Sequence, residues 1–114
     1  MSGGFFDYLQ FRISEIVDRI ERVMAKNVDS ESEAARRLDE EGEWHYAFSE
    51  ETLNQFRNGI ATLNQAFVYA HRIDWLLSGD DGEEEFHARL QQELSRLALD
   101  ELTKIDQEIG LYDD

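Results

Sequence analysis

The chain has 114 residues, of which 26 are Asp or Glu and 11 are Lys or Arg, and its formal charge is −15 at pH 7. It contains neither cysteine nor proline, which excludes disulfide staples and thiol chemistry. With no charged-then-apolar leader and no apolar run of about 18 residues, the expectation is a cytoplasmic protein that does not cross a membrane.

The length suits one domain, residues 1–114, able to bury about two-thirds of its unfolded surface. Carboxylates repel phosphates, so direct binding to nucleic acid or to an anionic membrane surface is not expected. The charge is uneven. Residues 1–27 are neutral, 28–51 carry −7, 52–79 carry +1 and 80–114 carry −9. Two segments are strongly acidic, and the two quiet ones are available for a core.

A first helix is expected from about Phe5 to Lys26, because Leu9, Ile13, Ile16, Val17, Ile20, Val23 and Met24 recur at three- and four-residue steps. Glu15 with Arg19 and Asp18 with Arg22 stand at i,i+4 in the favourable acid-first order on its outer face. Ser30 and Glu33 then spell a capping box for a short helix through Ala34, Ala35 and Leu38 that ends near Gly42. Trp44, Tyr46 and Phe48 alternate with His45 and Ala47. An isolated strand in a helical chain leaves its backbone groups unpaired, so this stretch reads as an aromatic linker packed on the bundle.

Ser49, followed by Glu50 and Glu51, is an N-cap for a second long helix running to about Leu77. Leu53, Phe56, Ile60 and Leu63 give its first half one apolar face. From Ala66 through Phe67, Val68, Tyr69 and Ala70 to Ile73, Trp75, Leu76 and Leu77 it is apolar nearly all round, the profile of a central helix or of an oligomer interface, and a homodimer through residues 66–77 follows as one expectation.

Ser78 to Gly82 form a break, and Asp81 with Glu84 reads as the cap of a last helix. Its stripe of Phe86, Leu90, Leu94, Leu97, Leu102, Ile105 and Ile109 runs to Gly110. Glu85 with Arg89 and Asp100 with Lys104 form i,i+4 pairs, and its outer face is otherwise acidic. The fold class that results is all-α, an antiparallel bundle of three long helices plus one short helix. Ile16, Ile20, Phe56, Ile60, Leu63, Ile73, Leu90 and Leu94 are the expected core.

The motifs of catalysis are missing: there is no glycine-rich phosphate loop and no nucleophile signature, so neither an enzyme nor a cofactor is expected. Of the three histidines, His45 lies in the linker, His71 on the second long helix and His87 at the start of the third. Glu84 and His87 have the Glu-x-x-His spacing of di-iron bundles, which need two such motifs and further glutamates. The second copy is missing here, although a homodimer would supply it by symmetry, so a ferritin-like metal-binding protein is the alternative reading. Asp80, Asp81 and Glu83 lack the alternating acids and distal glutamate of a calcium loop.

Nine net charges along a last helix of about 50 Å give one per roughly 6 Å, against about 1.7 Å for duplex DNA. One helix is a poor nucleic-acid mimic, and two acidic segments side by side or a dimer narrow the gap.

The run Arg72, Ile73, Asp74, Trp75, Leu76, Leu77, Ser78, Gly79, Asp80, Asp81, Gly82, Glu83, Glu84, Glu85, Phe86, His87, with the opening Gly4, Phe5, Phe6, Asp7, Tyr8, resembles a family of small uncharacterised acidic helical proteins of phages and mobile elements. The resemblance brings no known activity. It implies host interaction or anti-defence, in which an acidic module occupies a basic surface of a host protein that itself handles nucleic acid. The candidate partner-binding residues are Asp80, Asp81, Glu83, Glu84 and Glu85, with Trp75 beside them.

Overall fold

A computed structural model of the chain describes residues 4–108, with side chains through residue 103. Four helices follow in order: α1 Phe11–Ala25, α2 Glu33–Glu41, α3 Glu50–Leu77 and α4 Glu83–Glu108. The protein is an all-α bundle with no strand among the described residues. The side chains of Lys104 and Ile105, and the whole of Ile109 and Gly110, lie outside them.

The local signals place several ends where they were expected. Ser49 adopts the extended conformation of an N-cap and its hydroxyl accepts the Thr52 amide at 3.3 Å, starting α3 at Glu50. Gly42 closes α2 in the left-handed region, φ 72°, where a side chain would be strained. The linker is held by one parallel bridge: the Val28 amide donates to the Tyr46 carbonyl at 2.7 Å, and the Tyr46 amide to that of Lys26 at 3.1 Å. Asn27 completes the attachment by accepting the Phe48 amide at 2.7 Å, and the rings of Trp44, Tyr46, Phe48 and Phe56 follow one another in contact.

Three starts differ. α1 begins at Phe11, and residues 5–10 form turns in which Asp7 and Tyr8 have φ of 54° and 62°. Leu9 is exposed, so it does not extend the apolar stripe. The cap of α2 is Ser32, whose hydroxyl accepts the Ala35 amide at 3.0 Å. Ser30 is displaced because Asp29 organises the preceding turn, its carboxylate taking the Glu31 amide and its carbonyl that of Ser32. At α4, Gly82 and Glu85 take the places expected of Asp81 and Glu84: the Phe86 amide donates to the Gly82 carbonyl, and Glu85 Oε1 accepts the Gly82 amide at 3.1 Å.

α3 is the central helix. α1 and α4 both pack on it, and they do not meet one another among the described residues. The molecule is accordingly flat, 57 × 37 × 19 Å, with a radius of gyration of 18.7 Å, where a compact domain of this length has about 13 Å. Such an open arrangement covers each helix incompletely. Val17, Ala35 and Leu53 are the fully buried apolar side chains among the described residues. Ile20, Phe56, Ile60, Leu63, Ile73, Leu90 and Leu94 are half-buried, and Ile16, expected in the core, is 47% exposed.

Candidate interaction surface

Two polar centres tie the helices together where apolar burial is thin. The first is Asp74, one turn before the end of α3 and 0% exposed. Its carboxylate accepts the amides of Phe6 at 2.9 Å and Gly4 at 3.0 Å and the Gln10 side-chain amide at 3.3 Å. The Phe5 amide donates to Ser78 Oγ at 3.0 Å, so the N-terminal turn is gripped by the C-terminal end of α3. Burial raises the pKa of Asp74. The amides of Phe6 and Gly4, the Gln10 side chain and the Phe5 amide together lower it by more, and the net direction is downward.

The second centre joins α3 to α4. The Asp81 side chain is 0% exposed and Arg72 is buried beside it. Asp81 Oδ1 accepts from Arg89 Nη1 at 2.6 Å, and Asp81 Oδ2 lies 3.5 Å from Arg72 Nη1. Arg72 Nε is also 3.5 Å from Glu93, and its guanidinium lies over the Trp75 ring at 4.9 Å. At 3.5 Å these contacts of Arg72 are ion pairs without hydrogen-bond geometry, which is why Arg72 Nε and Asp81 Oδ2 have no hydrogen-bond partner.

These contacts sort the sequence-derived candidates. Asp81 is an internal strut that holds two arginines, so it does not offer its carboxylate to a partner. Glu85 is exposed but turned toward the protein, capping Gly82 and lying 3.9 Å from Arg89. Asp80 and Trp75 are half-buried, Trp75 under Arg72. Glu83 and Glu84 are exposed in the first turn of α4, and no ion pair reaches either of them among the described residues. The expected Glu15–Arg19 and Asp18–Arg22 pairs are not formed among the described residues, where Glu15 instead meets Arg12 at 3.1 Å.

Beside α4, Phe67 and Val68 of α3 and Leu97 of α4 line an open groove of about 490 Å³ with Asn64, Asp100 and Glu101. A smaller depression of about 200 Å³ adjoins it at His71, Glu93 and Arg96. On the other side of Phe67 stands Phe11, ring centroids 5.5 Å apart, and His71 stacks on Phe67 at 5.4 Å.

Sequence reading missed Arg72, Asp74 and Gln10 as organising residues. A signal was present: Asp74 is the sole acid between residues 52 and 79, in the most apolar stretch of the chain. A carboxylate there needs amide or cationic partners to remain charged. No group of three or more His, Asp or Glu side chains is placed to hold a metal ion among the described residues, and no helix among them is long and apolar enough to cross a membrane. Comparison with protein-family models, curated proteins and solved structures gives no match.

Proposed function

We propose that the chain is a non-enzymatic, cytoplasmic protein-interaction module that occupies a basic surface of a protein partner. The observation that supports this most is how the charges divide at the α3–α4 turn. The arginines there, Arg72 and Arg89, are taken up internally by Asp81, leaving Glu83 and Glu84 exposed at the edge of a −15 chain. The resemblance to small phage and mobile-element proteins supports a finer version, in which the partner is a nucleic-acid-binding host protein and the effect is anti-defence. No observation favours the ferritin-like alternative, since Glu84 and His87 are exposed and gather no further ligand among the described residues.

Exposed charges are screened over about 8 Å at physiological ionic strength, so such a complex weakens as salt rises. The test is capture of partners from host lysate at low salt, followed by affinity measurement on an identified partner. Glu83→Lys with Glu84→Lys is the diagnostic pair, because it reverses charge without touching the Asp81 centre. A weakening of about tenfold or more, together with a steep salt dependence, is expected. An affinity indifferent to both would leave the acidic face as a solubility device.

A further inference from the structure

We infer that the open face formed by α1 and α3, continued onto Leu97 of α4, is covered by a second copy of this chain. Its centre is a file of rings crossing between the helices: Tyr8 lies 6.4 Å from Phe11, Phe11 5.5 Å from Phe67, and Phe67 5.4 Å from His71. Tyr8 is 55% and Phe11 43% exposed. Val68 and Leu97 extend the same surface into the groove beside α4.

Area supports a protein-sized occupant. The chain exposes 8510 Å², whereas a compact monomer of 13.3 kDa exposes about 6,500 Å². The excess, roughly 2,000 Å², exceeds the approximately 800 Å² that each partner of an ordinary stable complex contributes.

Charge selects the second copy over a basic partner. The ring file belongs to the two quiet segments, residues 1–27 with no net charge and 52–79 with +1, while the acids Asp100 and Glu101 stand at the α4 margin of the face, so its centre has no acidic field with which to attract a basic surface. Two −15 chains repel each other in every orientation, and least where such neutral surfaces meet. A two-fold arrangement, with the same face used by both copies, brings the rings together and leaves the acidic turn at Glu83 and Glu84 outside the contact.

Sedimentation equilibrium of the full chain is expected to give twice the 13.3 kDa chain mass at micromolar concentrations. Association should hold or tighten as salt rises, since salt screens only the repulsion between copies. This is opposite in sign to the salt dependence of the acidic partner complex, so the two ideas fail separately. Phe11→Asp, at an exposed site, should weaken self-association by about tenfold or more while helicity is retained. Because the native chain has no cysteine, Val68→Cys should be joined to its copy by a short bismaleimide, and Leu99→Cys, on the 64% exposed outer side of α4, should not. That comparison decides the matter if Phe11→Asp unfolds. A monomer at all concentrations, a dimer dissolved by salt, a folded Phe11→Asp dimer, or crosslinking through Leu99→Cys and not Val68→Cys would overturn the inference.

Discussion

The carboxylate of Asp74 accepts the backbone amide of Phe6 at 2.9 Å across 68 positions of sequence. With Gly4 and Gln10 on the same carboxylate, this contact bends the N-terminal segment onto the end of α3. It also accounts for the delayed start of α1. Asp7 and Tyr8 sit in the left-handed region, at a cost on the order of 1 kcal/mol each, and three hydrogen bonds to a buried carboxylate offset that strain.

Asp74→Ala is therefore expected to lose about 2–4 kcal/mol of stability, because several amides lose a charged acceptor together. Urea unfolding measures the loss. Amide hydrogen exchange at Gly4 and Phe6 should accelerate in the variant even under conditions where α3 stays protected. Unchanged exchange at both amides would mean that the turn is held by something other than Asp74.

The lowered pKa of Asp74 gives a signed pH dependence. The folded pKa lies below the unfolded one, so the stabilisation is fully present above the unfolded value of about 3.8 and is lost as pH falls through the folded value. In denaturant titrations the stability gap between the wild type and Asp74→Asn should be constant at neutral pH and narrow as pH falls below about 4. A gap independent of pH would show that the charge on Asp74 contributes nothing.

Asp81 and Glu84 separate structure from recognition within one short stretch. Asp81→Ala leaves the buried Arg72 with Glu93, and the more exposed Arg89 with Glu85, and should cost about 3 kcal/mol, chiefly through the weakened pairing of the buried guanidinium. Glu84→Lys changes an exposed residue and should alter stability by no more than about 0.5 kcal/mol. Parallel chemical denaturation of the two variants is the measurement, and equal losses would contradict the assignment of Asp81 as a strut.

Leu53 and Ile16 make the same kind of contrast for apolar side chains. Leu53 is buried in α3, so Leu53→Ala should cost about 2–4 kcal/mol through lost transfer energy and the cavity left behind. Ile16→Ala, on an exposed part of α1, should cost about 0.5 kcal/mol or less. Thermal or urea unfolding that ranks them in the opposite order would mean that α1 packs with a different face toward α3.

What could be read from the residues in order was whatever a single turn of chain settles for itself. The Ser49 cap, the left-handed Gly42, the end of α3 at Leu77 and the break that follows it depend on neighbours a few positions away, and the apolar spacing that makes each segment helical is equally local. For the same reason the acidic character of α4 and the quiet character of α1 and α3 were legible from the charges alone.

The tertiary structure decided the features in which distant groups compete for one carboxylate or one surface. The apolar steps from Leu9 onward extend a helical pattern backward toward Phe5, yet Asp74 captures the amides of Gly4 and Phe6 and holds the turn instead. Asp81 has the chemistry of a helix cap, but Arg72 and Arg89 approach its carboxylate from two helices, so capping passes to Gly82 and Glu85. The pattern of apolar residues says that α1, α3 and α4 must bury a face; it does not say whether α1 and α4 close on each other or lie apart on α3. That depends on how the three helices divide the surface of α3, a balance of contacts among residues far apart in the chain, and it leaves Ile16 and Phe11 in the open.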